Sequence, residues 1–456
     1  MQEYRRSCPK QLKRKEMELS ISFFYCMPLF DVNYSLKIGW CQSPVDLAKL
    51  TRLAGPRWIE IEATALEHNL RAVKGLLQPP TRLLAVIKAD AYGAGAVEVA
   101  RILLATGADY LGVTTLAEGQ ELRRAGITAP ILLMSPLLPE ELPQALTDDL
   151  TLTISSRSGA EAAAAAAATV GRQARLHLKV ETGLQRTGLE PGEVVPLARE
   201  MRCWPVVQLE GIYSHLAEAA HPGAARRQME CFQRVLMELE GQQISLPLKH
   251  ICNSTGLLLH PEMHLDMVRA GTLLYGHFPY QAPRRGLDLK NPWQFKARIL
   301  FIHDVAAGTP VGYGGDYVVK KATRLAVIPV GYADGFALTP VSRPKDLNDL
   351  ARHLVKTVLA YLGRGGGEGT AVTIAGQRAP VVGRVGMQLS IVDVGHLPEV
   401  KVGQEVQLDL RRPTASARLP RVYCREGQPY LVRTTSGEMV PVLSSAGQNL
   451  APGAGI

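Results

Sequence analysis

From Arg57 to about Leu289, short β-branched or aliphatic runs alternate with amphipathic helical stretches. No other feature of the chain restricts its fold as much. The apolar runs are Leu83–Ile87, Tyr110–Thr114, Ile131–Met134, Leu152–Ile154, Ala174–Val180, Leu209–Tyr213 and Lys249–Ile251. Ala96–Thr106, Leu116–Ala125, Gly159–Val170 and Gly223–Gly241 read as the helices between them. Strand–helix alternation with short connections requires parallel strands. Seven or eight such units in roughly 230 residues match a (β/α)8 TIM barrel, typically about 250 residues long. The expected class is therefore α/β. The Ala162–Ala168 run reads as helix former on one barrel helix.

Beyond about Leu289 the alternation stops. Phe295–Val305, Arg324–Val330, Val372–Ile374, Val381–Val385, Ser390–Val394 and Glu405–Leu408 read as strands separated by Gly and Pro. The expected organisation is a leader over 1–50, a barrel over 51–290, a mostly β domain over 291–425 and a loose Gly/Ser-rich extension over 426–456. An inserted segment at about 338–370 carries a helix, Lys345–Leu362, that alternates basic and apolar positions and is suited to rest on the barrel rim. Its Gly-rich stretch 363–369 lacks the Lys-Ser/Thr of a phosphate loop and reads as a flexible connector. The leader sets Arg5, Arg6, Lys10, Lys13, Arg14 and Lys15 before an apolar stretch, Leu19–Phe30, which imitates a signal peptide. It has no small-residue cleavage site, and Glu16 and Glu18 interrupt its charge. It reads as a dispensable tail, or as the result of a start placed upstream of Met17 or Met27.

Composition narrows the function. The 456 residues are 46% hydrophobic and 20% charged, enough to bury a large core and unlike a disordered or collagenous chain. No apolar run reaches the roughly 18 residues of a membrane span. The net charge of +9 is spread thinly; eight Lys/Arg and five Asp/Glu fall in the first 50 residues, and the body has no basic run. Nucleic acid is therefore not an expected partner, whereas small anions are. The seven cysteines are scattered and never form a Cys-x-x-Cys pair, which argues against disulfides and metal and for a reducing cytoplasm.

The ends of the barrel strands carry the chemistry, because catalysis in such barrels is built at the carboxyl face. The first ends Leu-Ala-Val-Ile-Lys88-Ala-Asp90-Ala-Tyr92-Gly93. A lysine closing an apolar strand is costly to bury as an ammonium, and desolvation is how imine-forming lysines are made. The fifth strand leads into His177-Leu-Lys179-Val-Glu181-Thr-Gly183-Leu-Gln-Arg186-Thr-Gly188, a Gly-bracketed loop that presents an arginine. Later strand ends supply His215, then Asn253-Ser254-Thr-Gly256, then Arg269-Ala-Gly271-Thr272 with Tyr275. Singly, each has an ordinary structural explanation: a core histidine, a salt-bridged arginine, a snorkelling lysine. As an ordered set on one face they suit a phosphorylated carbonyl cofactor.

The sequence at this point resembles the alanine racemases, fold-type III pyridoxal-phosphate enzymes, from about Trp58 to Tyr423. Ala-Val-Ile-Lys88-Ala-Asp90-Ala-Tyr92-Gly93 is similar to that family's cofactor-lysine signature. Gly331-Tyr332-Ala-Asp334-Gly335, Val311-Gly312-Tyr313-Gly314 and Gly383-Arg384-Val385-Gly386-Met387 resemble its β-domain hallmarks. The resemblance implies pyridoxal 5'-phosphate bound covalently to Lys88, with Lys88 and Tyr313 as bases on opposite faces of the substrate Cα. It implies cofactor contacts at Tyr92, Asn253, Ser254, Arg269, Gly271 and Thr272, with Arg269 facing the pyridine nitrogen. Arg186 and the Met387 backbone N–H would hold the substrate carboxylate. Supporting roles fall to His215, to Tyr332 at a narrow entrance, and to Lys179, a position carbamylated in some relatives. The implied activity is interconversion of L- and D-alanine in the cytoplasm for peptidoglycan, by a homodimer with shared active sites.

Some positions depart from the family pattern. Gly386 and Gln388 replace a cysteine and an aspartate beside Met387, and Ala417 stands where many relatives carry a phosphate-binding tyrosine. Two other functions are compatible with the residues: a serine or broad-specificity racemase, and a cofactor-carrying protein without catalysis.

Overall fold

The computed structural model describes residues 47–279, 284, 286–338, 344, 347–361, 371–410 and 412–442. Most of the leader, the Gly-rich stretch 363–369 and the last 14 residues lie outside them. The first described strand, β1 (Arg57–Glu62), precedes eight parallel strands that form the barrel. These are β2 (Arg82–Val86), β3 (Tyr110–Val113), β4 (Ile131–Leu133), β5 (Thr151–Ile154), β6 (Ala174–Lys179), β7 (Val207–Tyr213), β8 (Leu248–His250) and β9 (Met267–Ala270). They pair in sequence, and β9 returns to pair with β2. Between β8 and β9 the ring is closed by single backbone bonds, Asp266 N to Lys249 O and Arg269 N to Cys252 O, instead of a ladder.

The strands read as unbroken apolar runs because both faces are covered. Outward residues such as Leu83, Ala85, Leu111 and Ile131 meet the helices, and Leu84, Val86, Tyr110, Leu132, Leu248 and Met267 meet one another inside. The alanine-rich helix Arg157–Val170 is capped by Ser156, whose Oγ accepts from Gly159 N, and it ends at left-handed Gly171.

The second domain is an eleven-stranded sheet. Its core strands are β10 (Trp293–Arg298), β11 (Phe301–Val305), β14 (Thr323–Ile328), β15 (Ala371–Ile374), β16 (Gln377–Val382), β17 (Ser390–Asp393), β18 (Glu405–Leu408) and β19 (Arg421–Arg425), with the small hairpin β12 (Pro310–Val311) and β13 (Tyr317–Val318) beside it. Two features differ from the sequence expectation. Strand β1 falls within the expected barrel segment 51–290 but lies in this second sheet, antiparallel to β10 and parallel to β19. The expected loose extension from 426 instead begins with two strands, β20 (Gln428–Arg433) and β21 (Met439–Pro441), which extend the sheet from β19. The Thr-Thr-Ser-Gly between them is the turn chemistry of a hairpin. In the insertion, helix Leu347–Tyr361 forms as expected, but Leu347, Leu350, Leu354 and Val358 on it are exposed instead of resting against the barrel rim.

Candidate active site

The carboxyl ends of the barrel strands gather the residues singled out from sequence. The register of β2 against β9 pairs Leu84 with Arg269 and Ala85 with Ala270, so Lys88 and Gly271 leave adjacent strands. After Lys88 the chain turns through Ala89, Asp90, Ala91 and Tyr92, all with φ between +53° and +55°. Four consecutive non-glycine residues in this left-handed region cost roughly 1–2 kcal/mol each, so surrounding structure must hold them. The Asp90 carboxylate accepts from Ala96 N at 2.8 Å and from both terminal nitrogens of Arg433 at 2.8 and 2.6 Å. Ala89 N donates to Glu118 Oε1 at 2.6 Å.

Tyr92 packs its ring 4.7 Å from Tyr275 and places its hydroxyl where any side chain at Gly271 would sit; a Cβ there would come within 2.5 Å of Oη. The Gly271 N–H donates to Ser254 Oγ at 3.0 Å. Ser254 begins the short helix Ser254–Leu259, so its hydroxyl, the Tyr92 hydroxyl and the bare Gly271 line one polar cradle. Asn253 serves this cradle as the helix cap: its Oδ1 accepts from Thr255 N and Gly256 N, and its Nδ2 donates to Leu216 O. Thr272 opens the turn that follows Gly271.

Arg269 is buried, and among the described residues none of its hydrogen bonds goes to a carboxylate. It bonds His250 Nδ1 at 2.5 Å, His215 Nδ1 at 3.3 Å, and the carbonyls of Ser214 and Ile251 at 2.7 and 3.0 Å. Burial lowers its pKa to about 10, which leaves it cationic at neutral pH. The same burial, with the charges of Arg269, Arg186, Lys179 and Lys88, drives His215 down to about 3, so its imidazole is neutral. Tyr213 stacks on His250 at 4.7 Å and lies 5.1 Å under the Arg269 guanidinium.

Arg186 is exposed at the rim on a loop tied by Glu181, whose carboxylate accepts from Gly183 N and Leu184 N at 2.6 Å each and from Arg186 N at 3.4 Å. Gly188 at φ +154° lets the returning chain touch Glu181, where a Cβ would meet Glu181 N at 2.6 Å. Lys179 closes β6 and donates to Thr187 Oγ1 at 2.5 Å. Burial, then Arg186 and Arg269, lowers its pKa to about 8.

In the β domain three separated segments form one surface. Gly331 lies so close to the backbone of Gly386 and Met387 that a Cβ would collide with Gly386 O. Tyr332 N and Ala333 N donate to Gly386 O and Met387 O at 3.1 and 3.0 Å. Gly383 likewise abuts Val311, and Arg384 is joined to Asp316 beside the Tyr313 turn. The segments present Tyr313, Met387 and Tyr332 outward, 79%, 60% and 45% exposed. Barrel and β-domain residues are thus two groups, the first assembled around Lys88 and the second on an open face. Asp334 of the second group is structural: its carboxylate bonds Gly331 N and Arg57 Nε, each at 3.0 Å.

The sequence does not single out Glu118, Glu210 or Arg433, and it shows Glu181 only as a member of the Gly-bracketed loop. Asp90 lay inside a quoted motif, but its task depends on the left-handed turn, which no residue type in the motif announces.

Residues 61–279 match the family model of the alanine racemase N-terminal domain, and residues 293–418 match that of the C-terminal domain. An alanine racemase of Desulforamulus reducens is 39% identical over 355 residues, covering 77% of this chain and 89% of its own. Alanine racemase 1 of Oceanobacillus iheyensis is 37% identical over 344 residues, covering 75% and 84%. The solved alanine racemase of Clostridium difficile 630 superposes with a TM-score of 0.74 at 30% identity, covering 83% of this chain and 98% of that one. Both halves of the chain, in order and over most of their relatives' length, match one family whose members depend on pyridoxal phosphate. The chain belongs to the alanine racemase family and is a pyridoxal-phosphate-dependent racemase.

Proposed function

We propose that this protein interconverts L- and D-alanine by moving the Cα proton between Lys88 of one subunit and Tyr313 of the other. The observation that carries this reading is a lysine two residues beyond the end of β2, the strand that pairs with β9 and its buried Arg269, whose guanidinium bonds histidines and carbonyls. Bound pyridoxal 5'-phosphate supplies an electron sink that acidifies the substrate's Cα–H. Lys88 Nζ takes or returns the proton on one face, and Tyr313 Oη does so on the other. Two groups are needed because a single one restores the proton to the side it left. Each contributes typically ~10²–10⁴-fold.

Tyr92, Ser254, Gly271 and Thr272 would hold the phosphate, and Asn253 would hold the helix end that faces it. Arg269 would face the pyridine nitrogen as a donor that keeps its own proton, which leaves the sink weak and favours racemisation over transamination. Arg186 and the Met387 N–H would hold the substrate carboxylate, and Lys179 would orient Arg186. His215, neutral and bonded to Arg269, would pass positive potential towards Tyr313.

The exposure of Tyr313, Tyr332 and Met387 supports a head-to-tail homodimer, in which one subunit's open β-domain face completes the other's barrel. Tyr332 would narrow the entrance to small side chains. The product D-alanine fits a cytoplasmic supply for peptidoglycan.

The test is turnover of purified protein with pyridoxal phosphate on L-alanine and L-serine, followed by chiral chromatography. Alanine turning over faster is expected. Faster serine would replace this reading with a serine or broad-specificity racemase, and retained cofactor without turnover of either would replace it with a carrier protein. Tyr313→Phe at the parental rate would remove the two-base assignment.

A further inference from the structure

The left-handed turn after Lys88 is held by the end of the chain. Strands β19 and β20, which follow the last residue matched by the family model, reach across to it with four side chains. Arg433 forms the bidentate bond to Asp90. Arg421, completely buried, donates through Nε to Gly93 O at 3.1 Å and sets Nη2 3.9 Å from Asp90 Oδ2. Tyr423 Oη donates to Ala94 O at 3.1 Å, and Tyr430 Oη to Glu98 Oε1 at 2.7 Å on the next helix. Gly95 has no room for a side chain, because its Cβ would collide with Tyr423 Oη. Asp90 is two residues from Lys88, and among the described residues Arg433 is the one whose side chain hydrogen-bonds its carboxylate.

We propose that Arg433 is a positioning residue for the racemase: its two-pronged grip on Asp90 fixes the turn that presents Lys88 to the cofactor. A bidentate guanidinium–carboxylate pair fixes orientation as well as distance, which a single bond does not. The β20 strand is thereby part of the active-site support, although it touches neither substrate nor cofactor. Glu121 also faces this pair, with Glu118 beside it holding Ala89 N, and Arg421 faces it from β19.

The inference rests on Lys88 being the cofactor lysine. That assignment is checked first, by borohydride reduction of the parental holoenzyme and mass mapping of the modified lysine. A label elsewhere defeats the lysine assignment and leaves the geometry of Arg433 and Asp90 untouched. With the label on Lys88, cofactor is titrated into apoenzyme of the parent, Arg433→Lys, Arg433→Met and Asp90→Asn while the long-wavelength band of lysine-bound cofactor is followed. Arg433→Met is expected to weaken cofactor binding at least about tenfold and to slow formation of that band. Arg433→Lys, which retains charge and one bond, is expected to recover part of both. Asp90→Asn keeps the Ala96 N bond and is expected to fall between. A purely structural role predicts a lower melting temperature with parental affinity and band formation in every variant that folds. That result overturns the proposal. If Arg433→Met does not fold, parental binding in both Arg433→Lys and Asp90→Asn overturns it equally, and weakened binding in either supports it.

Discussion

Arg269 donates from Nη1 to Nδ1 of His250 at 2.5 Å, and this contact determines where the protons lie along a chain of side chains inside the barrel. A guanidinium has no acceptor, so His250 Nδ1 is bare and its single proton is on Nε2. Nε2 lies 3.0 Å from His177 Nδ1, which must accept, and the His177 proton is then on Nε2. That atom, with no closer partner, is 3.4 Å from Glu210 Oε2. Glu210 also accepts from Tyr110 Oη at 2.7 Å and Thr151 Oγ1 at 3.2 Å. Against the cost of its burial, the His177 ring at 3.4 Å and the bond from Tyr110 hold its pKa down to about 2.

Glu210→Gln is therefore expected to loosen the whole chain from below. Losing a charged acceptor costs about 1.5–3 kcal/mol, readable as a urea midpoint shift at unchanged slope. Because the chain ends on Arg269 and not on the rim, kcat is expected to fall by severalfold while KM for alanine stays near the parental value. A KM effect larger than the kcat effect would show that Glu210 acts at the substrate side instead.

A second consequence concerns acid. His215 titrates at about 3 in the folded protein against an ordinary value of 6.5, because burial and then Arg269 disfavour its charge. His177 and His250 are lowered in the same direction, chiefly by burial. The unfolded chain thus binds more protons below pH 6.5, and stability falls as pH drops from 6.5 towards 3, by a few kcal/mol for His215 alone. His215→Asn is expected to flatten that part of the stability–pH curve measured by urea melts. An unchanged slope would mean that His215 is already charged in the folded state.

Much of this site could be read along the chain because parallel strands are apolar runs, so a polar or charged residue at their ends stands out. Lys88, Lys179, His215 and Arg269 stand out for that reason. The place of strand β1 is not legible locally, because its pairing with β10 and β19 joins residues hundreds of positions apart and no local periodicity reports it. Arg433 was hidden for a different reason: it sits just before the Thr-Thr-Ser-Gly turn, whose composition resembles a loose tail. Glu210 alternates with outward residues on β7 and looks like a solvated position until the barrel closes around it.

Lys179, at about pKa 8, is partly neutral near physiological pH, and a neutral amine is the form that reacts with carbon dioxide. From the neutral amine, carbamate formation adds the nitrogen to the carbon and releases one proton; counted from the ammonium two protons leave, so a cation near Arg186 becomes an anion. The protein in 13C-bicarbonate at pH 8 is expected to give a carbamate signal by 13C NMR that Lys179→Met lacks. Parental and variant spectra that match would leave Lys179 a simple donor to Thr187.

The contact between Gly271 and Tyr92 gives the most direct test of the phosphate cradle. Gly271 has φ −120°, outside the left-handed region, so the test of alanine there is a test of space. Its Cβ would instead lie 2.5 Å from Tyr92 Oη and 3.6 Å from Val86 Cβ, inside the space that the cradle leaves. Tyr92 cannot retreat far, since its ring rests on Tyr275, whose hydroxyl is bonded to Val86 O at 3.2 Å. Gly271→Ala is therefore expected to raise the cofactor dissociation constant by about 10–100-fold, equivalent to roughly 1.4–2.8 kcal/mol, with a change of only a few degrees in Tm. Adding Tyr92→Phe removes the clashing oxygen, and the double variant is expected to bind as weakly as Tyr92→Phe alone. Parental affinity in Gly271→Ala, measured by fluorescence titration of apoenzyme, would place the phosphate elsewhere on the barrel face.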